Sequence, residues 1–507
     1  MGTFGIKSLY FVIFVAAVFV CYFAGKNAKW QQGVTLCADI FVVWKLSGKR
    51  GLIGAAVLVL VVYFCGKNVE KYRANAKNKA KIWYRLGVIF SIGTLLYYKF
   101  FTKAFDALIN SIKDNTGISL IALVAPVGVS YYSLSLAAYL YDVYHKKCDS
   151  EKNFLCLMNY ALFFPALIEG PFNLYKELMP KLKEYHKFDF DRMVYGAMRM
   201  LWGYFKKVVI ADRIGIIVIA ILSDENSAGV LLFWGMVLYT FQLYADFSGG
   251  IDVIMGVSEI MGIELPENFR SPIISRSVTE FWQRWHMTLG TIMEKYLYYP
   301  IVLSKPLKKI SKKFKSKYLQ KTFSASFGAF LVFIVVGIWH GTGWNYVVYG
   351  IYQACFTSTA ILFKPGYAWL KKKFHVNEES ISWKIFTVLR TFTILVFGRY
   401  FIKAANLAQS FLWFKKTFTA LNLRMLFDGT MLNYGLNERN MNLMYLCIIL
   451  LIIVDILHEK GMHFRVLLMK QDIVFRYFIF FVGLFSIIIF GIYGPAYEPS
   501  NFIYAQF

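Results

Sequence analysis

Apolar runs of membrane-spanning character recur from one end of this chain to the other: Leu9 to Ala24, Leu52 to Cys65, Leu86 to Phe101, Leu120 to Tyr139, Phe323 to Trp339 and Ile473 to Tyr493. Hydrocarbon offers the backbone no water, so runs like these must satisfy their own N–H and C=O groups as helices. Hydrophobic residues make up 58% of the 507, and aromatic residues 19%. That composition excludes a soluble multidomain enzyme. A twenty-residue window gives roughly eleven spans. The expected fold is therefore all-α, a single polytopic integral membrane domain over residues 1–507. The first run follows only Lys7, lacks a small-residue cleavage site and leads into further apolar sequence. It is expected to be retained as a span.

The formal net charge of +26 would suggest nucleic acid in a soluble protein. Here the basic residues cluster in the connections, as in "KPLKKISKKFKSK" (Lys305 to Lys317), "EKYRANAKNKAK" (Glu70 to Lys81) and "WLKKKF" (Trp369 to Phe374). This is the pattern of cytoplasmic loops, so all three are expected on that side, within reach of anionic lipid headgroups, with no nucleic-acid partner. The cysteines, Cys21, Cys37, Cys65, Cys148, Cys156, Cys355 and Cys447, include no C-x-x-C pair and mostly sit in apolar runs. They read as small buried hydrophobes rather than disulfides or metal ligands.

The middle of the chain, roughly Phe154 to Trp344, is less regular than its flanks. Apolar pieces there are broken by "FPALIEGPFNLY", "YADFSGGID" and "LPENFRSPIISRS". Irregular backbone at membrane depth is tolerated where it is buried in protein or lines a wet cavity, so re-entrant helices around a central cavity are expected. Gln242, Asp246, Ser248, Asp252 and Glu259 fall in this region between apolar neighbours. Such residues either line the cavity or tie helices together by hydrogen bonds.

Five of the seven histidines, His145, His186, His375, His458 and His463, lie in or beside charged connections and read as solvated. His286 and His340 do not. His340 ends the apolar run Phe330 to Trp339 and precedes Gly341 and Gly343, so a last-turn histidine at a glycine-capped helix end competes with a catalytic role. His286 lies in "FWQRWHMTLG" (Phe281 to Gly290). Read as one helix, this stretch puts Trp282, Trp285 and Leu289 on one face and pairs Glu280 with Arg284 four residues apart, an interfacial anchor.

"ELPENFRSPIISRSVTEFWQRWHMTLG" (Glu264 to Gly290) and "WHG" (Trp339 to Gly341) together resemble the membrane-bound O-acyltransferase family, in its bacterial branch of alginate O-acetyltransferase and the teichoic acid D-alanyl transfer protein. "APVGVSYYSLSLAAYLYDVY" from Ala125, "FFPALIEGPFNLYKEL" from Phe163, "LWGYFKKVVIADR" from Leu201, "LYADFSGGIDVIMGV" from Leu243 and the terminal "FIYAQF" extend the likeness in the same order. The core motifs span residues 125–345.

The resemblance implies catalytic roles for His340 and His286, with Asp246, Ser248, Asn268, Arg284, Trp285 and Trp339 around the reaction cavity and no metal. Imidazole titrates near neutrality and suits the proton transfers of acyl exchange between a thioester and an alcohol. The implied donor is acetyl-CoA or an acyl-carrier protein on the cytoplasmic side, used as co-substrate with no bound cofactor. The implied acceptor is a surface polysaccharide, with D-alanyl transfer to teichoic acid as the alternative, and a second, extracytoplasmic acyltransferase completes the reaction. A channel or transporter is the reading outside enzymes; it calls for paired broken helices in two halves, and no such internal repeat is visible. One departure stands out. Where the family carries an Arg-Asp pair before "YLY", this chain has Glu294-Lys295, and Pro300 leads into "IVLSKPLKK".

Overall fold

The computed structural model describes residues 8–102, 126–419, 421 and 423–493. Residues 120–125 of one expected span, Ala125 of its motif and the terminal "FIYAQF" lie outside them. The described chain is helical, and among its residues the sole β pairing is an isolated bridge. Among the described residues six helices are long and apolar enough to cross a membrane, or seven when the bent pair Trp344–Leu362 and Lys364–Lys373 counts as one. The larger number of apolar runs in the sequence has physical reasons. Leu9–Ala24 is only 16 residues long. Leu52 to Cys65 is the second half of the 45-residue helix Ala28–Tyr72, which breaks at Gly48, where φ is 67°.

Two compact units emerge, residues 1–200 with 251–266, and residues 201–250 with 267–507. In the first, Ala28–Tyr72, Lys77–Leu96, Val129–Tyr144 and Phe154–Leu162 pack around Val42, Val59, Val62, Tyr132, Leu136 and Leu140. Asn27 and Asn153 cap helix starts by accepting backbone N–H groups, as short polar side chains do. Asp252 and Glu259 both take the Arg199 guanidinium, at 2.8 and 2.7 Å. These two members of the polar centre therefore tie helices together.

The second unit holds the two singular histidines. Its helix Ile473–Phe490 buries little beyond Ile487 and leaves Val474, Phe478 and Ile489 exposed. Water would penalise such a surface, and hydrocarbon accepts it. The helices Lys317–His340 and Trp344–Leu362 form a hairpin whose backbones nearly touch. A Cβ at Gly350 would stand 2.6 Å from the Phe333 carbonyl oxygen, and one at Gly337 would stand 2.4 Å from that of Tyr346. Small residues at a lipid-embedded contact allow this approach, and the approach positions the end of the first helix, where His340 lies.

Candidate functional site

The segments around Asn268 and His286 are clipped together antiparallel. Phe269 and Trp285 form the isolated bridge. The Arg270 N–H donates to the Arg284 carbonyl at 3.0 Å, and the Met287 N–H donates to the Asn268 carbonyl at 2.9 Å. "FWQRWHMTLG" is consequently not one helix, and the expected tryptophan face is corrected. The helix Val278–Arg284 starts where Ser277 accepts the Glu280 N–H and ends before an extended Trp285. A second helix, Met287–Met293, begins after His286, whose φ of 49° and ψ of 50° are left-handed. Only the pairing of Glu280 with Arg284 is as expected, at 2.8 Å.

Asn268, fully buried, orients the His286 ring. Its Oδ1 accepts from the Thr288 N–H at 3.1 Å and from the Thr288 hydroxyl at 2.8 Å, and lies 3.1 Å from His286 Nδ1. A backbone N–H can only donate, so the amide atom facing it is oxygen, and Nδ1 must carry the hydrogen. Nε2 then holds the lone pair. Burial pushes this imidazole down to about 3, so it is neutral at physiological pH.

His340 is the last residue of its helix and only 3% exposed. The glycine after it is not the left-handed cap that the sequence suggested. Gly341 is extended, with φ −173° and ψ 170°, a conformation open to any residue. Glycine is required there for space, because a Cβ would stand 2.2 Å from the Tyr346 ring.

The two histidines meet on one side chain. The Trp339 ring centroid lies 6.2 Å from that of His286 and 5.0 Å from that of His340. Phe247 stands edge-on to His286 at 4.9 Å, and Tyr349 edge-on to His340 at 6.1 Å. Trp285, buried, stacks on Phe281 at 5.4 Å and closes the aromatic floor. Trp282 Nε1 donates to Gln353 at 3.2 Å, fastening the Val278–Arg284 helix to the hairpin.

The remaining expected residues are placed differently. Asp246 is buried in an ion pair with Lys207, which also reaches Asp212 at 3.1 Å. Ser248 accepts from Lys206 at 2.9 Å. Arg284 is held by Glu280 and by Glu459, the latter at 2.7 Å. All three are thus engaged in polar pairs on the segments that carry Phe247, Trp285 and His286. Sequence reasoning passed over Thr288, Tyr349 and Arg399. Arg399 carried a signal, since an arginine inside the apolar run "TILVFGRYFI" marks a functional position more often than chance.

The sequence matches the membrane-bound O-acyltransferase (MBOAT) family over residues 1–402. It is 28% identical over 402 residues to a probable alginate O-acetylase, AlgI, of Pseudomonas syringae pv. tomato, covering 78% of this chain and 72% of that protein. It is 27% identical over 438 residues to a peptidoglycan O-acetyltransferase of Helicobacter pylori, covering 79% and 77%. A teichoic acid D-alanyltransferase of Bacillus subtilis is 28% identical over 289 residues, covering 55% and 68%. The chain belongs to the membrane-bound O-acyltransferase family. It is a multi-pass membrane O-acyltransferase, with an acyl donor as co-substrate.

Proposed function

We propose that this protein carries an acetyl group from a thioester donor, acetyl-CoA or an acyl-carrier protein, toward hydroxyls of an extracytoplasmic cell-surface polysaccharide, working in the bacterial cytoplasmic membrane beside an extracytoplasmic acyltransferase. His340 is the base. It takes the acceptor hydroxyl proton as that oxygen bonds to the thioester carbonyl carbon. When the C–S bond breaks, it returns the proton to the thiolate. The last carbonyls of its helix favour the transient imidazolium. His286, with its depressed basicity, is a poor proton carrier; its Nε2 lone pair instead accepts a hydrogen bond and orients a reacting hydroxyl.

The convergence of the two histidines on Trp339, one of them locked in a single tautomer, carries this reading. Acetyl is preferred to D-alanyl because the O-acetyl-transferring relatives match 78% and 79% of the chain, against 55% for the D-alanyl relative from Bacillus subtilis. The test is mass spectrometry of cell-wall and exopolysaccharide fractions with and without the gene. Lost acetyl esters support the proposal. Lost D-alanyl esters, or no lost ester, overturn it.

A further inference from the structure

One buried cation of the second unit leaves part of its hydrogen-bonding capacity unused among the described residues. Arg399, in the helix Ile381–Lys403, is 3% exposed. Its Nε and Nη2 have no hydrogen-bond acceptor among the described residues, and no carboxylate there pairs with it. The other buried cations of the unit are satisfied: Lys207 by Asp246 and Asp212, Lys206 by Ser248, and Arg213 by the Val209 and Phe490 carbonyls at 2.6 Å each.

The guanidinium carbon lies over two aromatic rings, Trp285 at 5.3 Å and Phe281 at 5.9 Å, and the group also reaches the Tyr349 hydroxyl. Such contacts are weak beside the cost of desolvating an ion. The two unused nitrogens are also the informative ones. Nε and Nη2 share one edge of the planar group, and that edge presents two parallel N–H bonds spaced for the oxygens of a carboxylate or phosphate. Position adds to this. Trp285 precedes His286 in the clip, and the Arg399 charge bears on the hydroxyl of Tyr349, whose ring packs on His340. The guanidinium thus packs on the residue next to His286 and beside the ring that contacts His340.

We infer that Arg399 is an anion-binding residue of the acyl-transfer site, holding a carboxylate or phosphate of a co-substrate through its Nε/Nη2 edge. This rests on the assignment of His340 and His286 to that site. A phosphate would belong to the donor, and a carboxylate to a uronic-acid-like acceptor.

The test uses the full chain purified in detergent as parent, Arg399→Met, Arg399→Lys and His340→Ala. Melting temperature is followed while sodium phosphate, and separately sodium acetate, replaces sodium chloride at constant ionic strength. One of the two anions is expected to raise the melting temperature of the parent and of His340→Ala. In Arg399→Met the affinity read from that response should fall about thirty-fold or more. Arg399→Lys, a point charge without the fork, should fall between. A response to phosphate alone assigns the site to the donor, and a response to acetate alone to the acceptor. No response in the parent to either anion, or an equal response in Arg399→Met, overturns the inference. If Arg399→Met does not fold, the parent and Arg399→Lys titrations still decide. Failure of the His340 assignment would be seen separately, as a His340→Ala protein with parental turnover.

Discussion

His286 and His340 are both buried imidazoles, and the proposed reaction gives them different work. Replacing a general base costs a factor of about 10²–10⁴ in turnover, so purified His340→Ala and His340→Gln should lose that much per folded molecule at near-parental melting temperature. Retention of more than about a tenth of turnover would fall short of that factor and return His340 to a packing role. For His286 the handle is acid stability. Its folded-state value of about 3 lies below the ordinary 6.5, so between those limits the unfolded chain binds the extra proton. The stabilisation is complete above pH 6.5 and is lost as pH falls toward 3. The melting temperature of the parent should therefore drop more steeply from pH 6.5 to pH 4 than that of His286→Asn. Parallel curves would mean that the ring is solvated.

At the scale of elements, the hairpin and the buried lysine pair set the frame. Gly350→Ala drives a methyl into the Phe333 backbone, and overpacking of this kind costs about 1–3 kcal/mol. Because Gly337, on the facing helix, lies one turn before His340, turnover per folded molecule should fall along with the melting temperature. A lower melting temperature with unchanged turnover would separate hairpin spacing from the site. Asp246→Ala takes one of its two carboxylates from Lys207, and breaking a buried pair costs about 3–5 kcal/mol. Folded yield and activity should fall together. A well-folded, inactive Asp246→Ala would instead put this carboxylate in the substrate path. The helices and their apolar faces were legible in the sequence because period and run length encode them directly. The break at Trp285 and His286 was not, because it depends on hydrogen bonds to Asn268 and Arg270, more than a dozen residues away, which no local pattern announces.

For the whole molecule, the sequence made the membrane and the acyl-transfer chemistry plain, through composition and through motifs scattered over most of its length. The span count was less legible. Apolar runs do not reveal that Gly48 divides one long helix or that Leu9–Ala24 is short. Sidedness follows from the lysine-rich connections and is open to labelling. Ser311 is buried, whereas Lys312 is exposed, so a lone cysteine at Lys312 in a chain freed of its native cysteines is the better reporter. An impermeant maleimide should leave intact cells unlabelled there and react once the membrane is opened. Strong labelling of intact cells would reverse the orientation.

The left-handed backbone at His286 also bears on how this position can change over generations. Glycine and asparagine occupy that conformation at little cost, whereas most other side chains pay about 1–3 kcal/mol for it. A mutagenised population screened for membrane-inserted yield alone should accumulate Gly or Asn at 286. One screened for ester formation should keep His. The ring is then held at this position by its chemistry, against a standing gradient toward residues that would fold more easily.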